Sequence, residues 1–183
     1  MNQPISTQEK LLSAARNLFW TRGYSNVSVR DIAKDAGADA ALVSRYFGSK
    51  QGLFEATLSE IPPWPALNAA PGDLLDAAAA SFSRPFDPCA DQANPFTMLM
   101  ANVNDPEMGQ TVREMVQRHL ADPLAEKLGG PEADTRAAML LGALFGMALM
   151  RKHFQLEALA SGSVNEIEAQ IRHLAQAAMR FAE

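Results

Sequence analysis

The twenty residues from Ser28 to Phe47, SVRDIAKDAGADAALVSRYF, constrain this chain more than any other stretch. They read as two short helices braced across a tight turn, a helix-turn-helix. Ile32 and Ala36 place an apolar stripe on the first helix, and Ala33 is small where the second helix must come close. Gly37 stands where the chain must turn, and a left-handed backbone there costs glycine little. Ala38 tucks inward after the turn. Asp39 is placed to cap the next helix by accepting a bond from an unpaired N–H of its first turn. Val43, with Tyr46 or Phe47, closes the core from the second helix. Ala40, Ala41, Ser44 and Arg45 are left facing outward, and small and basic outward residues suit a helix that enters a DNA major groove. An ordinary pair of amphipathic helices needs only the apolar spacing. Here Ile32, Ala33, Ala36, Gly37, Ala38 and Val43 all agree, which favours a DNA-reading unit.

Charge is distributed to suit such a unit. The 183 residues carry a formal net charge of −5, which taken whole disfavours DNA. Residues 1–52, however, hold seven basic and four acidic side chains, net +3, and the remainder holds nine and seventeen, net −8. A locally positive head can hold phosphates while an acidic body repels DNA elsewhere. The hydrophobic content of 48% supplies a core. The single cysteine, Cys89, allows no internal disulfide and agrees with a reducing, cytoplasmic setting. The first ten residues, MNQPISTQEK, lack the apolar run of a signal peptide. The longest apolar run, Ala137 to Met150, has 14 residues. A bilayer span needs about 20, so it reads as a buried helix with no membrane partner.

Taken in order, the chain is all-α, with about nine helices and no persistent β pattern. Ser6 and Glu9 form a capping box for the first helix, which buries Leu11, Ala14, Ala15, Leu18 and Phe19 and ends at Gly23. Tyr24 and Val27 pack back onto that core. Ser28 caps the next helix with Asp31 three residues on, and its place at a helix N-terminus also suits a phosphate contact; the two roles are compatible. Ser49 caps a fourth helix to about Ile61. Lys50 lies in its first turn, unfavourable for the dipole unless a phosphate offsets it, and otherwise a solvated surface lysine. PPWP at Pro62 to Pro65 marks a hinge. A fifth helix capped by Asp73 runs to Phe82, Arg84 to Pro95 is a loop, and a helix with Phe96, Met98 and Met100 follows. Asp105-Pro106-Glu107 starts a helix towards Gly129, kinked at Pro123. Pro131 and Glu132 open the helix that carries the apolar run to Gly162. Ser163 and Glu166 cap the last, which buries Ile167, Ile171, Leu174, Ala178 and Phe181.

The stretch EKLLSAARNLFWTRGYSNVSVRDIAKDAGADAALVSRYFGSKQGLF resembles the N-terminal domain of the TetR family of transcriptional regulators. The likeness includes A-A-x-x-L-F at Ala14 to Phe19, R-G-Y at Arg22 to Tyr24, V-R-D-I-A at Val29 to Ala33, and Y-F-G-S-K at Tyr46 to Lys50. It covers about the first quarter of the chain. The resemblance implies a three-helix DNA-binding head over residues 1–52 and a helical ligand-binding and dimerisation body over 53–183. It further implies a homodimer on a pseudo-palindromic double-stranded operator, a repressor in the family's usual sense, released by a small apolar or amphipathic effector. Carried over, Ser28, Tyr46 and Lys50 match backbone-contacting positions, and Ala40, Ala41, Ser44 and Arg45 fall on the base-facing surface. Arg30 and Asp39 join them on the DNA-facing side. Ser44 stands where many members have tyrosine, and Val27 where many have threonine. With Ala40 and Ala41 so short, Arg45 and Ser44 carry much of the base reading.

Eight methionines lie beyond residue 52. Methionine is polarizable and adaptable, so Met98, Met100, Met115, Met139 and Met147, with Phe96 and Phe145, are candidates to line an effector pocket or simply to fill core. The prolines around Arg84 to Pro95 are candidates for a lid. Gly142 and Gly146 lie four apart, with Ala138 one turn earlier. They allow close approach of a neighbour in the same chain or of a symmetry mate. In the second case Leu156, Leu159, Leu174 and Ala178 join a two-fold interface. Catalysis would need convergent polar groups. His119, His153 and His173 are scattered, His153 with Glu157 lacks a third ligand, Cys89 has no basic neighbour beyond Arg84, and no phosphate loop is present. No enzyme, metal or cofactor is expected. The alternatives are a helical regulator or interaction module without an effector, and an activator.

Overall fold

The computed structural model describes residues 6–83 and 93–180. Cys89, Phe181 and most of the expected loop and lid from Arg84 lie outside the described residues. Among those described the fold is all-helical, in eleven α-helical segments. These are α1 (Thr7–Arg22), α2 (Val29–Ala36), α3 (Ala41–Phe47), α4 (Lys50–Ser59), α5 (Leu74–Ser83) and α6 (Pro95–Asn102). There follow α7 (Gly109–Val116), α8 (Asp122–Leu128), α9 (Ala133–Ala148), α10 (Glu157–Ala160) and α11 (Val164–Met179).

The count exceeds the expected nine because two expected helices are interrupted. Pro123 has no N–H, and its ring crowds the carbonyl of His119. The chain answers with one π-helical turn, Gln117–Ala121, and α8 starts with Pro123 in its first turn. The helix with the apolar run likewise does not reach Gly162. A π-helical turn, Leu149–His153, follows α9, Gln155 takes a left-handed φ of 49°, and α10 begins afresh. His153 and Glu157 thus fall on opposite sides of a break rather than on one helical face. The stretch Ala133–His153, 21 residues, is long and apolar enough to cross a membrane by length and composition, which exceeds the run counted in the sequence. In this fold its Ala137, Leu140, Leu141, Leu144 and Ala148 are buried in protein.

Several helix starts follow the sequence, whereas α7 begins at Gly109, beyond the expected Pro106, and Glu132 ahead of α9 takes a left-handed φ of 52°. Full capping boxes form at Ser6 with Glu9, Ser28 with Asp31, and Ser163 with Glu166; Asn94 with Thr97 adds another. In each, two otherwise orphaned N–H groups are satisfied reciprocally. Asp105 Oδ1 accepts from the N–H groups of Glu107 and Met108, both at 3.0 Å, just ahead of α7.

The chain forms two compact units. The first holds residues 6–62 and 93–114. Its core joins Leu11, Phe19, Ile32, Val43, Leu53 and Phe54, with Phe54 edge-on to both Phe19 and Tyr24 at 5.4 Å. Leu53 and Phe54 are fully buried there, and α6 packs along α1. The compact units therefore divide elsewhere than at residue 52. The second holds 63–83 and 115–180, around Leu74, Ala78, Leu124, Leu140, Leu144, Ile167, Ile171 and Ala175. Here α11 lies against α5 and α9, and α8 against α9.

Candidate nucleic-acid interface

The turn between α2 and α3 is built as its residues dictate. Gly37 takes φ 62° and ψ 39°, the left-handed region. Its N–H reaches the Lys34 carbonyl, and the Ala38 N–H reaches the Ala33 carbonyl at 2.9 Å, so the last carbonyls of α2 are satisfied. Asp39 Oδ1 accepts from the Ala41 N–H at 2.8 Å, which caps α3 as expected. Val43 is buried and seats α3 on the core. Phe47 is half-buried, whereas Tyr46 is 39% exposed, so Phe47 supplies the inward ring.

What remains outward is a short polar ridge. Ala41, Ser44 and Arg45 are exposed on α3, and Ala40 is half-buried at its start. Arg30 is exposed on α2, and Asp39 is exposed but committed to its cap. Arg30 and Arg45 have no carboxylate within ion-pair distance among the described residues. Ser28 is exposed, yet its hydroxyl donates to Asp31 Oδ2 at 2.5 Å and accepts from the Asp31 N–H at 3.1 Å. Those bonds hold the Asp31 carboxyl below its ordinary value. A phosphate at Ser28 must therefore compete with Asp31 for the hydroxyl proton. Lys50 is half-buried at the first position of α4, with Nζ 3.9 Å from the centroid of the Tyr24 ring. The ring's negative face offsets the unfavourable helix dipole there. Tyr24 is itself buried, and desolvation pushes its phenol up, aided by Glu107, Asp105 and Glu55.

Sequence inspection missed what braces this head from far along the chain. The amide of Asn102 is fully buried. Its Oδ1 accepts from the Tyr24 N–H at 2.7 Å, and its Nδ2 donates to the carbonyls of Phe19 at 3.0 Å and Met98 at 2.9 Å. Asp105 Oδ2 accepts from the Ser25 N–H at 3.0 Å. Gly23 fits the same junction: at φ 85°, a Cβ would stand 2.9 Å from the Ala101 carbonyl oxygen. The signal was an amide closing the apolar run PFTMLMAN, which carries no mark of its distant partners.

The other expected sites are dispersed. Phe96, Met98 and Met100 lie on α6 in the first unit, with Met98 fully buried and Met100 exposed. Met115, Met139, Phe145 and Met147 lie in the second, where Phe145 and Met147 pack against the core and Met139 is exposed. A groove of about 400 Å³ in the second unit is lined by Gln117, Ala121, Asp134, Thr135 and Ala138, none of them among those seven. Of the expected interface residues, Leu156 and Leu174 are exposed, Leu159 is half-buried, and the spaces over Gly142 and Gly146 are open. Leu174 is thus not in the core of α11. Ala178 is, packed with Ile171 and Ala175, and offers nothing to a partner chain.

The comparisons with known proteins agree with this geometry. Residues 11–57 match the family described as bacterial regulatory proteins, tetR family, and residues 80–179 match the tetracyclin repressor-like C-terminal domain. The chain belongs to the TetR family. It is 45% identical over 56 residues to the probable HTH-type transcriptional regulator YttP of Bacillus subtilis, covering 31% of this chain and 27% of that protein. It is 29% identical over 106 residues to the HTH-type transcriptional regulator BetI of Cronobacter sakazakii, covering 58% of this chain and 47% of that one. The aligned stretches thus span less than half of these relatives. A TetR-family regulator from Streptomyces coelicolor superposes with a TM-score of 0.59 at 26% identity, over 98% of this chain and 99% of that one. A TetR-like regulator from Rhodococcus gives 0.67 at 20% identity, over 99% and 100%, which speaks to fold.

Proposed function

We propose that this chain is a DNA-binding transcriptional regulator that grips a pseudo-palindromic operator as a homodimer and is released by a small apolar or amphipathic effector. The observation that carries the proposal is the α3 ridge. Ser44 and Arg45 project from a helix seated by Val43 and fixed in angle by the left-handed Gly37. Arg45 is the base-reading side chain, and Lys50, Tyr46 and Ser28 hold phosphates. Lys50 leaves the Tyr24 ring or tilts from it to do so. Repression is the direction the family suggests, in the cytoplasm, where the operator is.

Dimerisation through α9 and α11 is part of the same proposal. Leu156, Leu174 and Met139 are exposed apolar side chains, and Gly142 and Gly146 leave room for a helix to approach. A two-fold contact would pair such surfaces with themselves.

The test is retention of duplex DNA selected from a random pool, measured against salt. Lys50→Ala should weaken all sequences alike and lower the salt slope by about one. Arg45→Ala should cost about 1–3 kcal/mol on the selected site and much less on random DNA. Failure of the wild-type chain to retain any duplex would favour a helical interaction module instead.

A further inference from the structure

Arg151 is a charged side chain only 8% exposed, and its surroundings do not answer its charge. It sits in the π-helical turn after α9. A π turn inserts an extra residue in the helical register and re-aims the side chains it carries, and such turns cluster at functional sites. The guanidinium carries five N–H donors. One nitrogen, Nη1, donates to the Phe82 carbonyl at 2.9 Å. No carboxylate lies within ion-pair distance of it among the described residues. Its pKa is lowered by desolvation. The C-terminal end of α5, where Phe82 lies, presents a fractional negative charge, about half a unit, and so offsets the guanidinium only in part.

A second observation meets the first at Phe82. Its ring stands edge-on to Trp64 at 6.0 Å and 5.9 Å from Phe145, so the three form an aromatic layer within the second unit. The indole Nε1–H of Trp64 is buried without any acceptor. Buried donors are almost always paired, and an orphan asks for an explanation. Both residues thus meet Phe82, Trp64 at its ring and Arg151 at its backbone carbonyl. Trp64 Nε1–H lacks an acceptor, and the Arg151 guanidinium, bonded to one carbonyl, lacks a negative charge within ion-pair distance among the described residues.

We propose that the second unit recognises an organic acid, a carboxylate on an aryl or alkyl body, with Arg151 binding the carboxylate and the Trp64–Phe82–Phe145 layer taking the apolar body. This rests on the proposed effector-binding role of that unit and narrows the effector's chemistry. A guanidinium pairs with a carboxylate through parallel charge-assisted bonds, which a carbonyl alone does not supply. Trp64 Nε1–H offers a further donor to an oxygen of the ligand.

The experiment titrates the full chain with two acids, 4-phenylbutyrate and decanoate, and their neutral partners, 4-phenylbutanol and decanol, by calorimetry. The wild type should bind an acid roughly ten- to hundredfold more tightly than its alcohol. Arg151→Met should erase that preference while leaving alcohol affinity in place, Arg151→Lys should keep part of it, and Trp64→Phe should weaken the acid by a smaller factor. If Arg151 only capped α5, Arg151→Met would change stability and leave the acid-to-alcohol ratio untouched. If Arg151→Met does not fold, the wild-type ratio and Arg151→Lys decide. A wild-type ratio near one, a ratio unmoved by the substitutions, or no binding of either acid overturns the proposal. Release of bound DNA by the alcohols as readily as by the acids would sink the acid and keep the effector. Lack of DNA retention by the wild type would sink the regulator and leave the acid site standing on its titration.

Discussion

Replacing Asn102 with leucine removes the amide that ties α6 to the first helix while keeping its bulk. The Tyr24 N–H, 2.7 Å from Asn102 Oδ1, then has no acceptor in a buried place. The Phe19 carbonyl loses a donor but keeps the Gly23 N–H at 3.1 Å, so the orphaned donor dominates. An unsatisfied buried donor costs about 1–3 kcal/mol, and with the lost bonds to Phe19 and Met98 the total is about 2–4 kcal/mol. For a unit of this size the urea dependence is about 1 kcal/mol per molar, so the midpoint should fall by about 2 M or more. Trp20 lies in the first unit and Trp64 in the second. Fluorescence in a Trp64→Phe background therefore follows the first unit alone. Asn102→Asp keeps an acceptor for Tyr24 only at the cost of facing a carboxylate to the Phe19 carbonyl. Its carboxyl should titrate above the ordinary range, so this variant should be near wild type at low pH and lose stability as pH rises through that value. A loss for Asn102→Leu within about 0.5 kcal/mol of the wild type, the level of an ordinary surface change, would refute the role assigned to this amide.

Four further outcomes are expected. Gly37→Ala should cost about 1–2 kcal/mol from its left-handed backbone alone, since a Cβ there meets nothing within 4 Å. Gly23→Ala should cost more, because the Ala101 carbonyl stands 2.9 Å from the new Cβ; equal denaturation midpoints for the two would contradict the close approach. Asp31 should titrate below the ordinary aspartate range by carboxyl NMR and move back towards it in Ser28→Ala. The cap's contribution to stability is therefore present above the ordinary aspartate pKa and lost as pH falls through the lowered one. Thr57→Val should cost about 1–2 kcal/mol, because Trp20 Nε1–H loses its buried acceptor; an unchanged thermal midpoint would count against that bond.

Much of the head was legible because local rules and packing coincide there. Ser6, Ser28 and Ser163 cap the helices their spacing marks, and Leu11, Phe19, Ile32 and Val43 are buried where their periodicity puts them. What was not legible depends on partners distant in sequence. Nothing near Asn102 announces that it serves Tyr24, and nothing near Lys50 places it over that ring. Leu174 has the spacing of its buried neighbours Ile167 and Ile171 but lies at the edge of the stripe, where exposure depends on what α11 packs against. The apolar run misled for a related reason. Hydropathy continues smoothly through Leu149 and Met150, whereas the helix changes register there and breaks at Gln155.

The bond between Tyr24 and Asn102 joins residues 78 apart. Translation adds about 5–20 residues per second, so a nascent chain waits about 4–16 s between making the first partner and making the second. During that interval the Gly23–Tyr24 bend is tethered to water rather than to protein. A polypeptide cut short near residue 62 never acquires this latch, and a newborn head stays without it until residue 102 has been added.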